Sequence, residues 1–233
     1  MSEWIAFWDS PHAIYVSAKH RDVHYLRIAE DISRYIPRGG TVVDYGCGEA
    51  LHADIPAAIA NRLILCEAAP KLRDALSARF ADNPKILVAS PEQIAALDHR
   101  SLDLIIIHSV VQYLTHGELG ELLMLFHSLL KADGVLVIGD VIPPSESALT
   151  DALALLSFAR QEGFLLAALF GLVRTMFSRY SRLRRKFGLT RYARDDILDM
   201  LTRAGFWATT AEMNIGHNQA RHTYIGRITP VHA

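Results

Sequence analysis

Cysteine is almost missing from this sequence. Cys47 and Cys66 are the whole complement, too few for a disulfide framework, and neither stands in a CxxC pattern that would hold zinc. Long apolar runs are missing too. The longest, Phe164 to Val173, is about half the roughly 20 residues a spanning helix needs. Neither sign of charge dominates: 24 basic against 25 acidic residues leave a formal net charge of −1, so no global field recruits nucleic acid or an acidic partner. The opening MSEWIAFWDSPHA has acids and tryptophans where a secretory signal would have a basic stretch and an apolar core. No repeat or low-complexity segment is present. These absences predict a soluble, cytoplasmic protein without structural metal. The 233 residues, 51% of them hydrophobic, suit one sizeable α/β domain.

Within that domain, apolar runs and helical patterns alternate. Helices are predicted over Val23–Ile36, Ala50–Ala60, Pro70–Phe80, Pro91–Leu97 and Gly117–Lys131, the last stopped by Asp133-Gly134. Strands are predicted over Thr41–Tyr45, Leu63–Glu67, Lys85–Ala89, Leu102–His108 and Val135–Val141. Such near-continuous apolar strands separated by helices imply a parallel sheet covered on both faces. Ser145–Lys186 reads as a long helical insert, Asp195–Ala204 as an amphipathic helix, and Phe206–Met213 with Tyr224–Ile228 as an antiparallel hairpin at the sheet edge. The expected fold is a Rossmann-like three-layer sandwich. Its seven-stranded, mostly parallel sheet ends in an antiparallel C-terminal strand and carries a helical lid. The divisions are a cap and first helix (1–40), a cofactor-binding core (41–141), an insert (145–190), and a final helix with strands (191–230).

The most informative segment is Val42-Val43-Asp44-Tyr45-Gly46-Cys47-Gly48. Two glycines at i and i+2 after a buried strand let the backbone take positive φ and admit a ligand against bare main chain. A dinucleotide fingerprint would want a third glycine at position 51, where Leu51 stands; that glycine serves tight packing beneath a pyrophosphate. Glu67 stands at the end of the second strand, where an acid accepts hydrogen bonds from ribose hydroxyls. Together these residues predict an adenosine with a free diol and no pyrophosphate. Cys47 at a helix N-terminus also has a nucleophile's position, but a small residue is needed there for fit.

The run VVDYGCGEA, with LILCEAAP, SLDLIIIHSVVQYL and LLKADGVLVIGDV coming after it in order, resembles the class I S-adenosylmethionine-dependent methyltransferases across roughly residues 40–141. The tail RYARDDILDMLTRAGF resembles the C-terminal region of that family. The resemblance implies that Asp44 and the Gly46-Cys47-Gly48 backbone hold the methionine end of S-adenosylmethionine. It implies that Glu67 clasps the ribose beside Ala68, that Ser90, Pro91 and Glu92 flank the adenine, and that His108 and Ser109 line the floor near the sulfonium. Two departures stand out: Ser90 replaces an Asp that many members use to read the adenine amino group, and Glu49 replaces a small residue.

Methyl transfer from a sulfonium needs alignment more than acid–base chemistry. A hydroxyl or amine acceptor would still benefit from a general base, and a neutral His108 is best placed; the alternative is a ring that only packs. Asp140 either orients an acceptor or caps the next segment. His20 and His24 share a helical face but lack further ligands for a metal; the N-terminal segment with Phe7, Trp8, Tyr15 and His20 suits a cap over the cofactor, Tyr15 reaching the cofactor carboxylate. His217 and His222 lie in the connection to the last strand.

The insert carries Leu153, Leu156, Phe158, Phe164, Leu165, Leu169, Phe170, Val173, Phe177 and Tyr180. From Arg174 through Arg194 there are then eight basic residues and no acid. Three uses remain open. The helices could line a pocket for a lipophilic acceptor, rest on an anionic membrane through 164–186, or form a homodimer interface. Nucleic acid has no strong signal. The leading expectation is methyl transfer to a small hydrophobic acceptor. Competing with it are a non-catalytic S-adenosylmethionine-binding sensor or partner subunit, and an NAD-dependent oxidoreductase, which Leu51 disfavours.

Overall fold

The computed structural model describes residues 3–10, 14–176, 186 and 188–228. A short helix α1 (Glu3–Trp8) precedes α2 (Ala18–Ser33), β1 (Thr41–Tyr45), α3 (Asp54–Ile59), β2 (Arg62–Cys66), α4 (Pro70–Arg79), β3 (Ile86–Ala89), α5 (Pro91–Ala95) and β4 (Leu102–His108). A 3-10 turn (Val111–Tyr113) leads into α6 (His116–Leu129) and β5 (Leu130–Val141). The insert forms α7 (Ala148–Gln161) and α8 (Leu165–Met176). The chain closes with α9 (Arg194–Arg203), β6 (Phe206–Thr210) and β7 (His222–Ile228).

The seven strands lie in the order β3-β2-β1-β4-β5-β7-β6. The first five are mutually parallel, β7 runs antiparallel to β5, and β6 runs antiparallel to β7. Strand order reverses direction between β1 and β4, which opens a crevice at their carboxyl ends. The strands alternate cleanly between two cores. Val43, Ile105, Ile107, Leu136 and Ile138 pack toward α6 and α9, while Val42, Leu63, Leu65, Leu104, Ile106 and Val137 pack toward α2, α3 and α4. Burial on both faces explains why LDLIIIH reads as a continuous apolar run.

Several boundaries differ from the sequence expectation for identifiable reasons. Helix α2 starts a turn early because the Ser17 hydroxyl accepts from the His20 amide at 3.1 Å; its first turn is polar and carries no apolar period. Helix α3 begins only at Asp54, so that Pro56 falls in the first turn, where its missing N–H costs nothing. Helix α6 ends at Leu129, before Asp133-Gly134, since Leu130 turns extended to pair with Leu102 across a bulge. Among the described residues the predicted helical insert holds α7 and α8, broken at Gly163. Of its residues, Phe177, Tyr180 and Arg182 to Arg185 lie outside those described.

Candidate active site

Strand β1 ends in a loop built on two left-handed glycines, Gly46 at φ 79° and Gly48 at φ 60°. A Cβ on Gly46 would run into the Val110 side chain, and one on Gly48 would lie 2.6 Å from the Tyr25 hydroxyl. Only bare main chain fits between the exit of β4 and the N-terminal helix. The loop amides are already engaged: Gly46 and Cys47 donate to the Cys66 carbonyl at 2.8 and 3.1 Å, Gly48 donates to Glu67 Oε2 at 3.1 Å, and Glu49 donates to the Tyr25 hydroxyl at 2.9 Å. The glycines therefore offer close approach rather than free N–H donors. Burial pushes the Cys47 thiol up, so it is no thiolate nucleophile at neutral pH.

Two acids converge beneath this loop. Glu67 is buried, with Oε1 accepting from Ala69 N at 2.8 Å and Arg73 anchoring its backbone carbonyl at 2.8 Å. Each carboxylate oxygen keeps a further lone pair. Burial raises the Glu67 pKa, although its amide partners pull it back. The Asp44 carboxylate, half-buried, has no hydrogen-bond partner among the described residues. Burial and the neighbouring Glu67 charge push it up to about 7. An unpaired, desolvated carboxylate at a sheet crevice is an acceptor awaiting a cation or donor. A cleft of about 20 Å3 beside it, bordered by Tyr25, Cys47 and Ala53, has room for a water molecule and no more. Tyr15 covers this region, its hydroxyl donating to that of Tyr25 at 3.1 Å.

The adenine-side residues are arranged as a helix start. The Ser90 hydroxyl accepts from Gln93 N at 3.3 Å while Gln93 Oε1 accepts from Ser90 N at 2.8 Å, a capping box ahead of Pro91. Ser90 is thus occupied with the helix cap. Glu92 is exposed, held below its ordinary range by the Ser90 hydroxyl. Ala68 lies half-buried next to Glu67, with its carbonyl accepting from Arg73 at 3.3 Å.

Across the crevice, His108 ends β4, buried, with Nε2 3.3 Å from the Ile215 carbonyl. That carbonyl can only accept, so Nε2 carries the proton and Nδ1 keeps a lone pair. Burial lowers the His108 pKa, leaving the ring neutral near pH 7. Ser109, just after β4, and Asp140, near the end of β5, have left-handed backbones, φ 56° and 64°. The Ser109 hydroxyl donates to Asp140 Oδ2 at 2.5 Å. Strained residues at adjacent strand ends are typical of a functional crevice.

Sequence reasoning missed the group that holds this side together. Arg221 donates to Asp140 Oδ2 at 2.7 Å, Glu146 Oε2 at 3.0 Å and Asp151 Oδ1 at 2.8 Å. Asn218 donates to Glu146 at 2.6 Å and Asp151 at 3.1 Å. One guanidinium thus ties the end of β5 to the start of α7 and to the loop before β7. Burial, with the Asp151 charge adding to it, pushes Glu146 up to about 6. No local pattern announces Arg221, whose carboxylates lie 70 to 81 residues away.

The loop and insert meet in a wall of neutral aromatic and imidazole rings. His217 stacks on Phe158 at 4.6 Å, His20 stacks on Phe164 at 5.0 Å, and His24 lies 6.1 Å from both His20 and His217. Desolvation depresses all three histidines, His20 to about 4. Among the described residues no group of three or more His, Cys, Asp or Glu is placed to hold a metal. His222 is the first residue of β7 rather than a loop residue.

Residues 43–138 match a family model described as a methyltransferase domain. Over those residues the chain is similar to a methyltransferase domain. Solved structures similar to it include phosphoethanolamine N-methyltransferase 1 of Haemonchus contortus, in complex with phosphoethanolamine and S-adenosylhomocysteine. The two share 14% identity at a TM-score of 0.62, over 99% of this chain and 49% of that one. Magnesium protoporphyrin IX methyltransferase from Synechocystis, with bound S-adenosylhomocysteine, shares 15% identity at a TM-score of 0.52, over 89% and 82%. The YcgJ protein of Bacillus subtilis shares 14% identity at 0.57, over 81% and 71%. Identities this low show the methyltransferase fold alone, and this chain spans about half the length of the Haemonchus enzyme. No curated protein matches by sequence.

Proposed function

We propose that this methyltransferase domain binds S-adenosylmethionine at the Gly46–Gly48 loop and transfers its methyl group to a small, hydrophobic acceptor under the α7–α8 lid. The observation that carries the reading is the half-buried Asp44 carboxylate, without a hydrogen-bond partner among the described residues, beside the buried Glu67 at the β1–β2 edge of the crevice. A sulfonium and an ammonium would relieve it, and Glu67 has lone pairs for a ribose diol. Asp44, the bare loop and Tyr15 would hold the methionine end; Glu67 and Ala68 the ribose; Ser90, Pro91 and Glu92 the adenine side; His108 and Ser109 the floor. When bound, the cofactor supplies an already activated methyl group. The protein's task is then to align the acceptor and exclude water.

The lid supports a neutral, lipophilic acceptor. The rings where the lid meets α2 and the loop before β7 (Phe158, Phe164, His20, His24, His217) are apolar or uncharged, and Arg221 faces three carboxylates whose charge outweighs its own, which disfavours an anionic acceptor. His108 Nδ1 is the group that would take a proton from an acceptor hydroxyl or amine. His108→Gln is expected to cut turnover about 100-fold while leaving S-adenosylhomocysteine affinity near wild type by calorimetry. Equal loss of both would assign His108 to cofactor binding.

The charge of Asp44 makes binding and stability move oppositely with pH. Its folded pKa of about 7 lies above the ordinary 3.8, so the folded state holds the proton more tightly. Stability from this group therefore falls as pH rises between these values. Asp44→Asn should raise the unfolding free energy by on the order of 2 kcal/mol at pH 8 and leave it unchanged near pH 4. Affinity for the cationic cofactor should rise through pH 7 in the native protein and stay flat and weak in the variant. Calorimetry with S-adenosylmethionine and with NAD tests the whole reading; tight binding of NAD alone would overturn it.

A further inference from the structure

The α7–α8 lid is fastened to the N-terminal segment through one imidazole. His20 sits in the first turn of α2, and its Nδ1 accepts from the Val16 amide at 3.3 Å. Its ring stacks on Phe164 at the α7–α8 turn, with centroids 5.0 Å apart and planes 20° from parallel. Val16 is in turn the residue on which α8 rests. A Cβ on Gly171 would run into its side chain, so the helix comes down to bare backbone there. Val16 and Val23 complete the seat against Phe158, Ala159, Phe164 and Ala168.

The bond to Val16 requires a neutral ring. An accepting Nδ1 places the one ring proton on Nε2. A proton taken from solvent would occupy the Nδ1 lone pair and set two N–H groups against each other, ending that bond. The surroundings also disfavour the charge. His20 lies at the positive end of the α2 dipole, between Lys19 and Arg21 in sequence. Lys19 reaches the α7–α8 turn, its Nζ 3.2 Å from where a Cβ on Gly163 would stand, and Arg21 is paired with Glu49 at 3.4 Å. Tyr15, with its ring at 5.6 Å, is neutral. From other elements His217 acts on His20, and His217 and His108 act on His24. Asp140 and Asp151 act on His217, opposed by Arg221. The Phe164 face would attract an imidazolium, yet it offers no acceptor for a second N–H.

We propose that His20 is an acid-released latch on the lid: a proton at Nδ1 frees Val16, and α7 and α8 lift away from the N-terminal segment. The direction follows from proton linkage. Burial and His217 hold the ring of the closed lid at about 4, against an ordinary 6.5 once the ring is exposed. The open state binds the proton more tightly, so the closed state loses stability as pH falls from 6.5 toward about 4. His24 and His217, depressed by burial in the same wall, act in the same direction. The latch is a property of the packing and stands whether or not the crevice takes S-adenosylmethionine.

Hydrogen exchange of the full chain at pH 7.5 and 4.5, corrected for intrinsic rates, tests the latch. Helices α7 and α8 should lose protection by at least about tenfold at the lower pH, while β1, β4 and α6 keep theirs. His20→Asn sets an amide oxygen near the Nδ1 position and has no proton to gain, so the acid-dependent loss should vanish. Glu146→Gln, which removes a titrating carboxyl beside Arg221, should retain it. Four results would each overturn the proposal: unchanged lid protection at pH 4.5, equal loss throughout the chain, an acid step that persists in His20→Asn, or one that disappears in Glu146→Gln. Should His20→Asn not fold, NMR titration of the wild-type ring replaces it. Proton uptake at His20 well below pH 6.5 and in step with lid opening supports the latch; uptake near 6.5, or out of step with the lid, overturns it.

Discussion

Arg221→Met is expected to lower the unfolding free energy by about 3–5 kcal/mol, the cost of leaving buried charges without their partner. The guanidinium is flanked by Asp140, Glu146 and Asp151, with side-chain exposures of 12, 1 and 21%. Removing it leaves three carboxylates repelling one another in a poorly solvated site. Urea denaturation measures the loss, and adding Glu146→Gln should return a part of it, since the variant then buries one anion fewer. The deficit should shrink as pH falls, and the change should begin above 6, because Arg221 helps hold the Glu146 carboxyl down to about 6 and its loss lets the proton bind more tightly. A loss below about 1 kcal/mol would mean that the cluster behaves as a solvated surface network. Activity should fall as well, because the same arginine sets Asp140 against Ser109.

Gly46→Ala should be nearly as damaging, for two separable reasons. Its backbone sits at φ 79°, where a Cβ costs roughly 1–2 kcal/mol. That Cβ would also collide with Val110, and relieving such overpacking costs typically about 1–3 kcal/mol. Gly39 supplies the control, since it has φ 73° and open space around an added Cβ. Gly39→Ala should show the backbone cost alone. Displacing Val110, next to Ser109 and His108, should also weaken S-adenosylhomocysteine binding about 100-fold, measured by calorimetry. Affinity near wild type in Gly46→Ala would remove the loop from the proposed cofactor site.

The parts of the fold legible in advance were those written in consecutive residues. Strand β4 appeared with the bounds expected from LDLIIIH, because burial on both faces forces every side chain to be apolar. The glycine pair after β1 and the acid after β2 were visible as turn chemistry at the ends of such runs. The start of β5 was not, since residues 130–134 become strand only by pairing with β4 across a bulge. Nor was the shape of the insert, whose apolar residues serve two opposite faces of one helix. Hydrophobicity alone does not say which face finds a partner.

From its own order of residues this chain determined the seven-stranded parallel-dominated sheet, the crevice between β1 and β4, and a loop of bare main chain after β1. Those features arise from local periodicity and local backbone freedom, which neighbours in sequence control. Tertiary structure alone decided that Tyr25 and Val110 close on the glycines, that the Asp44 carboxylate has no partner among the described residues, that Arg221 gathers three distant carboxylates, and that α8 turns Leu166 and Phe170 outward. Each is a contact, or a missing contact, between segments far apart in sequence, set by how helices settle on the sheet, and no pattern within a segment encodes it.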